Sequence, residues 1–385
     1  MKPSGITLPR IVVSSPYICQ SCQFLSIRGR RTSIPKSARF ASTSAPTRNP
    51  PSPPSAGYAS LPSRRLVSVS GPDSTHFLQG VITANISPGT PYKSGFYAAF
   101  LNAQSRILND VIIYPDGKGA DSWLIEVDAK EVERFAKHIK RFKLRAKFDV
   151  RVIPEGEQSV WSLWGAGMGL DGDNLKEGFV GYVDTRAPDM GTRLILPAGK
   201  APEVDVQQCD ESVYRVRRYL MGVAEGQDEL IRESALPQES NIDYMGGIDY
   251  RKGCYVGQEL TIRTHHTGVV RKRILPVMLY GMDQEMPKAL VYDPDVDLGV
   301  EGIARETNIA RFNQRGRSAG KWLTGVGNIG LGLCRLETMT DVHVQGEAGG
   351  YKEGNEFKLE WVPEGGDTQN VKIKAFVPSW HLNRK

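Results

Sequence analysis

The stretch Lys252–Glu259, KGCYVGQE, is the most informative segment of this 385-residue sequence. Cys254 lies between the two glycines of the stretch and follows two basic residues, Arg251 and Lys252. Glycine permits close backbone approach, and nearby positive charge favours the thiolate, which can attack an electrophile, ligate a soft metal or be oxidised. A buried structural cysteine in a turn would have the same spacing, so both interpretations stay open on spacing alone.

The residues that follow this stretch include two histidines and a basic run. His265 and His266 lie 11 and 12 residues after Cys254, which is too far for a local metal site. If Leu260–Arg263 forms a strand that continues through the histidines, they point to opposite faces, and at most one of them approaches Cys254. The favoured interpretation of the histidines is a polar surface pair.

The region before the stretch shows the periodicities of an α+β fold. The predicted strands are Arg65–Ser70, Phe96–Leu101, Ile107–Tyr114, Trp123–Val127, Val150–Ile153, Ser159–Trp164 and Arg193–Leu196. The predicted helices are His76–Gln79, capped by Asp73 and closed by Gly80, then Lys130–Lys147 and Ser212–Met221. No Gly-rich phosphate loop accompanies them, so the alternation predicts α+β layers and not a dinucleotide-binding domain.

After Pro276 the pattern changes to short β-like pieces separated by glycines and charged turns. This pattern predicts a small antiparallel barrel over residues 276–385, with Arg305–Arg317 as an exposed loop. The body that precedes it is predicted to cover residues 63–275.

The predicted helix Lys130–Lys147 is unusually basic. It carries eight Lys and Arg residues against Glu131 and Glu133. Such a helix can dock an acidic partner, but a solvated helix face is the favoured interpretation.

The charge of the chain is unevenly distributed. Ten of the 49 basic residues and none of the 43 acidic ones precede Asp73, so the net charge of +6 becomes −4 from Asp73 onward. A slightly acidic body argues against a nucleic-acid binder. No window approaches the roughly 18 to 20 apolar residues of a membrane span. Three widely spaced cysteines, Cys209, Cys254 and Cys334, indicate a reducing compartment.

The N-terminal 45 residues contain Arg, Ser and Thr but no acid, which is the composition of a mitochondrial transit peptide. The proline-rich residues 46–62 are predicted to be a disordered, extended linker, with folded structure beginning near Leu61. Cys19 and Cys22 are interpreted as an incidental pair within the removed leader.

KGCYVGQE resembles the signature of the YgfZ-type folate-binding proteins, which are relatives of the glycine-cleavage T-protein (aminomethyltransferase). Three further segments resemble parts of that family in the same order: Arg65–Asn85, Phe100–Tyr114 and Gly320–Leu336. Together with the leader, they resemble its mitochondrial iron–sulfur-cluster assembly factor branch. The resemblance implies an aminomethyltransferase-like folate-binding body followed by a C-terminal antiparallel β-barrel.

The same resemblance implies a function in the mitochondrial matrix. The expected activity is maturation of [4Fe–4S] proteins, such as aconitase-like and radical-SAM enzymes, with A-type iron–sulfur carrier proteins and the client apoproteins as partners. Tetrahydrofolate is the expected cofactor. Cys254 is the expected functional thiol, and because iron–sulfur clusters normally take about four protein ligands, it would share a transient cluster with a partner's cysteines.

The resemblance also suggests folate contacts. Asp110 occupies the place of an Asp that ends a family hairpin, although the glycines and first Asp of that pattern are absent here. Glu239 matches a Pro-x-x-Glu or Pro-x-Glu element, and Lys252, Gln258 and Arg263 complete the predicted cofactor contacts. A pocket carboxylate can bind the adjacent donors of a pterin, whereas the alternative for Asp110 is a surface acid at a strand end.

Two features keep alternatives open. Arg263 and the basic run Arg271–Arg273 could meet the glutamate tail of a folate or form a solvated edge. The aminomethyltransferases carry an Arg-x-Glu-x-Gly run, whereas Arg218–Gly222 here contains no acid. This argues against aminomethyl transfer, so an assembly factor is the leading hypothesis. A folate-dependent one-carbon transferase that uses Asp110 is the alternative, and a scaffold with a vestigial pocket is the third.

Overall fold

The computed structural model describes residues 49–86, 94–165, 180–312, 316–346, 350–363 and 365–382. The predicted transit peptide, with Cys19 and Cys22, lies outside the described residues. No described helix is long and apolar enough to cross a membrane.

The described strands fall into an N-terminal body and a C-terminal barrel. The body contains β1 (Gly57–Ser60), β2 (Arg64–Ser70), β3 (Phe96–Leu101), β4 (Ile107–Pro115), β5 (Ser122–Asp128), β6 (Asp149–Val152), β7 (Gln158–Trp164), β8 (Val180–Val183), β9 (Thr192–Pro197) and β10 (Gln207–Cys209). The barrel contains β11 (Lys272–Tyr280), β12 (Asn308–Arg311), β13 (Gly320–Val326), β14 (Ile329–Arg335), β15 (Phe357–Trp361) and β16 (Gln369–Ala375). The described helices are α1 (Ser74–Val81), α2 (Val132–Phe142), α3 (Glu211–Met221), α4 (Gln258–Thr267), α5 (Leu336–Met339) and α6 (Ser379–Leu382).

These strands form two five-stranded sheets and a closed barrel. The sheet orders are β10-β1-β7-β9-β8 and β3-β4-β5-β2-β6, and the barrel closes in the order β11-β14-β13-β12-β15-β16. β4 and β5 are buried along almost their whole length, as their apolar sequences predict. The predicted α+β body with an antiparallel barrel is therefore confirmed.

The proline-rich residues 49–62 are ordered, so the prediction of a disordered linker is wrong for this part of the chain. β1 pairs antiparallel with β7 and parallel with β10. The Trp164 indole donates to the Pro54 carbonyl at 3.1 Å, and the Tyr292 hydroxyl donates to the Pro50 carbonyl at 2.6 Å. Proline lacks an N–H but keeps its carbonyl. Side chains from the body and from the barrel region bind those carbonyls and hold the segment in place.

Three local predictions near the helices also need correction. Asp73 occupies the N-cap position of α1, but its carboxylate makes no capping hydrogen bond and accepts instead from the Lys147 N–H at 2.7 Å. Gly80 lies inside α1 and does not end it. α2 ends at Phe142, well before Lys147, and Leu144 adopts a left-handed φ of 48° just beyond it.

The barrel differs from its prediction at two places. β11 begins at Lys272, so the barrel starts before residue 276. Residues 308–311, expected within an exposed loop, form β12, in which Ile309 is fully buried. This short strand closes the barrel because it pairs with both β13 and β15.

The body and the barrel share one hydrophobic core. The cluster around Tyr214 and Tyr219 of α3 also contains Leu323, Ile329 and Leu331 of the barrel. A second cluster lies between α2 and the sheet that contains β4, and a third fills the barrel.

Candidate functional site

Cys254 is an exposed free thiol in the turn that precedes α4. The chain enters α4 through Gly257, whose φ of 82° favours glycine, and a Cβ there would lie 2.3 Å from the Asn102 carbonyl oxygen. The Val256 N–H donates to the Gly80 carbonyl at 3.0 Å. The turn is therefore held between α1 and the β3–β4 hairpin, with the thiol on its outer side. The alternative of a buried structural cysteine is wrong.

Lys252 anchors this turn instead of binding a ligand. Its ammonium donates to the carbonyls of Gln79, Ile82 and Ala84 at 2.7, 2.6 and 2.8 Å, where α1 ends. Burial lowers the pKa of Lys252 to about 8. Because an ammonium has three N–H donors, none is left for the predicted cofactor contact.

The segment after the turn is the helix α4, so the strand considered at Leu260–Arg263 does not form. The Gln258 side chain accepts from the Tyr255 N–H at 3.2 Å and closes the first turn of α4. Gly257 adopts a left-handed φ and redirects the chain into α4. The alternation of polar and apolar side chains does not predict such a change of direction. Arg263 is exposed on the helix surface.

The two histidines lie on α4 as an aromatic pair. The His265 ring stacks on Tyr250 with centroids 3.7 Å apart, and His266 packs edge-on against His265 at 5.0 Å. Among the described residues, no group of three or more His, Cys, Asp or Glu could hold a metal ion. Within the described part of the chain, Cys254 is therefore not accompanied by a complete set of metal ligands.

The middle of the body contains a buried ion-pair cluster. Its arginines and carboxylates come from several strands, from loops and from α3, and all have side chains that are at most 7 % exposed. We define the cluster as Arg64, Arg186, Arg193, Arg218, Asp110, Glu126, Asp184, Glu225 and Glu229.

Glu225 lies at the centre of this cluster. Its carboxylate is 2.7 Å from Arg186 Nη1 and 2.6 Å from Arg193 Nη2, and it accepts from the Tyr214 hydroxyl at 3.0 Å. Burial alone would raise the pKa of Glu225, but the surrounding guanidinium groups outweigh it and hold that pKa well below its ordinary value.

Sequence reasoning missed Glu225 and Glu229. The Arg-x-Glu-x-Gly pattern places an acid before the glycine, and Arg218–Gly222 contains none. Glu225 and Glu229 instead follow Gly222. Arg218 makes a bidentate pair with Glu229 at 2.7 and 2.9 Å. The signal that could have found them is a pair of acids just beyond the left-handed glycine that ends α3.

Asp110 is fully buried, so the alternative of a surface acid at a strand end is wrong. Its carboxylate lies 3.4 Å from Arg64 Nη1 and accepts from the Gly226 N–H at 3.1 Å. Burial raises the pKa of Asp110, and the nearby Arg64 opposes that shift. The Asp110 carboxylate therefore lies in the interior of the body, beside Arg64.

A cavity of about 560 Å³ lies beside the cluster, and Asp110 does not line it. Its carboxylates outnumber its cations: Asp128, Asp210, Glu211, Glu225, Asp228 and Glu229 against Arg64, Lys130, Arg215 and Arg218. A folate carries carboxylates of its own, which this wall disfavours. The residues that line this cavity therefore do not favour a folate by their charge.

The five predicted cofactor contacts are not brought together. Asp110 lies in the ion-pair cluster, Lys252 and Gln258 hold the turn before α4, and Arg263 is exposed on α4. Glu239 is 3.4 Å from Lys272 at the start of β11, and its carbonyl accepts from the Ile274 N–H. None of the five lines the cavity beside the cluster.

The two sheets, the closed barrel and their shared core define the aminomethyltransferase-like fold. The structure is similar to that of the glycine cleavage system aminomethyltransferase T from Bartonella henselae, with a TM-score of 0.60, 13% identity and coverage of 86% of this chain and 87% of that chain. Residues 271–382 match the family described as CAF17, C-terminal beta-barrel domain.

The sequence comparisons are more specific. The chain is 51% identical over 340 residues to the iron–sulfur cluster assembly factor IBA57 homolog, mitochondrial, of Pyricularia oryzae, covering 84% of this chain and 85% of the relative. It is 47% identical over 408 residues to the Chaetomium globosum protein of the same name, covering 96% and 93%. The chain belongs to this family of mitochondrial iron–sulfur cluster assembly factors, so the predicted resemblance is confirmed.

Proposed function

We propose that this protein is a mitochondrial matrix factor that helps to mature [4Fe–4S] proteins, among them aconitase-like and radical-SAM enzymes. The single observation that carries the proposal is the exposed Cys254 thiol on an anchored turn. The names of the relatives support the pathway and the organelle. Residues 1–45 would act as the import signal.

In this proposal the cluster is cargo, shared for a time between this chain and a carrier. The Cys254 thiol loses its proton as its sulfur bonds to one iron, and the cysteinate of the carrier that it displaces takes up a proton. One cysteine supplies one of about four ligands, so the others must come from the partner. A-type carrier proteins are the proposed donors, and client apoproteins are the proposed acceptors.

Replacement of the thiol tests the proposal. Cys254→Ser should abolish cluster transfer from a loaded A-type carrier to apo-aconitase, measured as recovered aconitase activity. Cys209→Ser is the matched control, because Cys209 is also a free thiol but lies on β10. Because Cys254 is exposed, neither the fold nor the thermal unfolding midpoint should change. Full transfer by Cys254→Ser would refute the role of this thiol.

Tetrahydrofolate has no step in this function. The buried pairing of Asp110 with Arg64 leads us to expect no heat and no thermal shift when tetrahydrofolate is titrated into the protein. Saturable binding that is lost in Asp110→Asn would instead support the folate-dependent transferase.

A further inference from the structure

A groove next to the turn that carries Cys254 is not used by the proposed transfer step. It lies between α1, the β3–β4 hairpin and α2, and its volume is about 830 Å³. Val256, two residues after Cys254, lines it. The other apolar residues of its wall include Phe77, Val81, Phe100, Leu101, Leu108 and Phe142. The groove is thus continuous with the Cys254 turn.

One rim of the groove is a row of cations on α2. Arg134, Lys137 and Arg141 recur at intervals of three or four residues and therefore share one helix face. This face is solvent-exposed, as the sequence predicted, and it also borders the groove. Arg134 lies near Glu131 and Glu233, at 3.8 and 3.6 Å.

Two of these cations have no carboxylate of their own. Within the described ranges, neither Lys137 nor Arg141 forms an ion pair with a carboxylate. Glu233 is the one acidic residue among those that line the groove, against Arg134, Lys137, Arg141 and Arg232. The rim is therefore complementary in charge to a negatively charged binding partner.

Phe142 adds an exposed aromatic ring to this rim. Its side chain is 51% exposed. Its ring lies 4.6 Å from that of His138, and the Arg141 guanidinium is 5.7 Å from its centroid. Aromatic residues and arginines are enriched at protein interfaces, and Phe142 and Arg141 supply both at this rim.

We propose that this groove docks an acidic segment of the partner protein, with a large apolar side chain inserted between α1 and α2. The proposal rests on the proposed function, because the acidic segment belongs to the same partner protein whose cysteines approach Cys254. The concave shape favours a protein side chain over a bilayer surface, which cannot enter a groove. Docking here would hold the partner next to the thiol.

Charge reversal tests the cationic rim. Lys137→Glu/Arg141→Glu should weaken binding of an A-type carrier by on the order of tenfold, with a larger effect at low salt. Lys140→Glu/Arg145→Glu is the matched control, since both residues are exposed, neither lines the groove, and the change in net charge is the same. Equal weakening by the two double variants would refute a specific role of the groove.

The apolar part of the groove is tested by Phe142→Ala. This variant should weaken carrier binding several-fold, whereas Leu144→Ala should leave it unchanged. Leu144 is 83% exposed and does not line the groove. Unchanged binding by Phe142→Ala would contradict insertion of an apolar side chain.

Comparing Cys254→Ser with the groove variants separates the docking proposal from the proposed function. If Cys254→Ser blocks transfer but the groove variants bind the carrier normally, the docking proposal fails while the proposed function stands. If the groove variants lose carrier binding but Cys254→Ser still transfers clusters, docking stands and the role of the thiol fails. Binding to vesicles of phosphatidylcholine with added phosphatidylglycerol is measured in parallel with binding to the carrier. If the groove variants lose vesicle binding but still bind the carrier, the proposal is overturned in favour of a membrane surface.

Discussion

The two glycines of KGCYVGQE have different structural roles. Gly257 adopts a φ of 82° and its backbone lies against the hairpin, whereas a Cβ on Gly253 would meet no atom within 4 Å. Folding therefore requires glycine at position 257 but not at position 253. Lys252 adds a third constraint through the three carbonyls that it binds near the end of α1.

We therefore expect Gly257→Ala to be destabilising and Gly253→Ala to be nearly neutral. The added methyl of Gly257→Ala would clash with the Asn102 carbonyl and favour a different φ, at a cost of about 1–3 kcal/mol. Urea denaturation of both variants measures the difference. Equal stabilities would contradict the tight contact between the turn and the hairpin.

The buried carboxylate of Glu225 makes a prediction about pH. Its pKa is lower in the folded state than its ordinary value of 4.5, so it contributes stability that is present above that value and is lost as the pH falls through the folded pKa. Glu225→Gln removes the carboxylate that is nearest to Arg193 and that also pairs with Arg186, so positive charge in the interior is left without its partner. It should cost roughly 3 kcal/mol or more at neutral pH.

The difference between Glu225→Gln and the unaltered protein should narrow below about pH 4.5, as measured by denaturant titrations over a pH series. Glu360→Gln is a suitable control, because Glu360 is 53% exposed and its pair with Lys358 is on the surface. If the stability difference between Glu225→Gln and the unaltered protein does not depend on pH, Glu225 stabilises the fold by its packing and not by its charge.

At the scale of elements, β1 shows how a proline-rich segment can belong to a fold. Four of its residues pair with β7, and three of them also pair with β10, so the strand lies inside the sheet and not at its edge. The prolines precede the strand and present only carbonyls. Their composition predicted disorder, and the binding of those carbonyls by Trp164 and Tyr292 reverses that prediction.

A protein that begins at Leu61, the predicted start of folded structure, should therefore be less stable than one that begins at Asn49. The shorter chain loses β1, which pairs with both β7 and β10, and uncovers Trp164. We expect this loss to cost about 2 kcal/mol or more. Thermal unfolding of the two proteins measures the effect. Identical midpoints would mean that residues 49–60 behave as a linker after all.

At the scale of the whole molecule, the body and the barrel are connected by packing as well as by the chain. Gly222 ends α3 against Pro276 of β11, and the Trp380 indole donates to the Met221 carbonyl at 3.0 Å. Leu331 of β14 is fully buried in the core that also contains α3. Such continuity predicts that both parts unfold together.

Leu331→Ala tests this coupling. The variant should lose about 2–5 kcal/mol, and calorimetry should still show a single transition at a lower temperature. Leu359→Ala is the matched comparison, because Leu359 is equally buried but belongs to the core of the barrel alone. Two resolved transitions, of which only one shifts, would show that the barrel unfolds independently.

The sequence by itself determined those features that depend on near neighbours. Apolar runs identified β4 and β7, and apolar spacing identified the helix predicted at Ser212–Met221. KGCYVGQE identified the family but left the exposure of Cys254 open. Each depends on periodicity or backbone freedom within a few residues.

Only the tertiary structure decided how charges are paired and which polar backbone groups are satisfied. Arg64, Asp110 and Glu225 meet in one cluster although more than 40 residues separate each from the next. Lys252 likewise binds carbonyls about 170 residues away. A buried charge is stable only with its partners at hydrogen-bonding distance, and those distances are set by long-range packing, which local patterns do not contain.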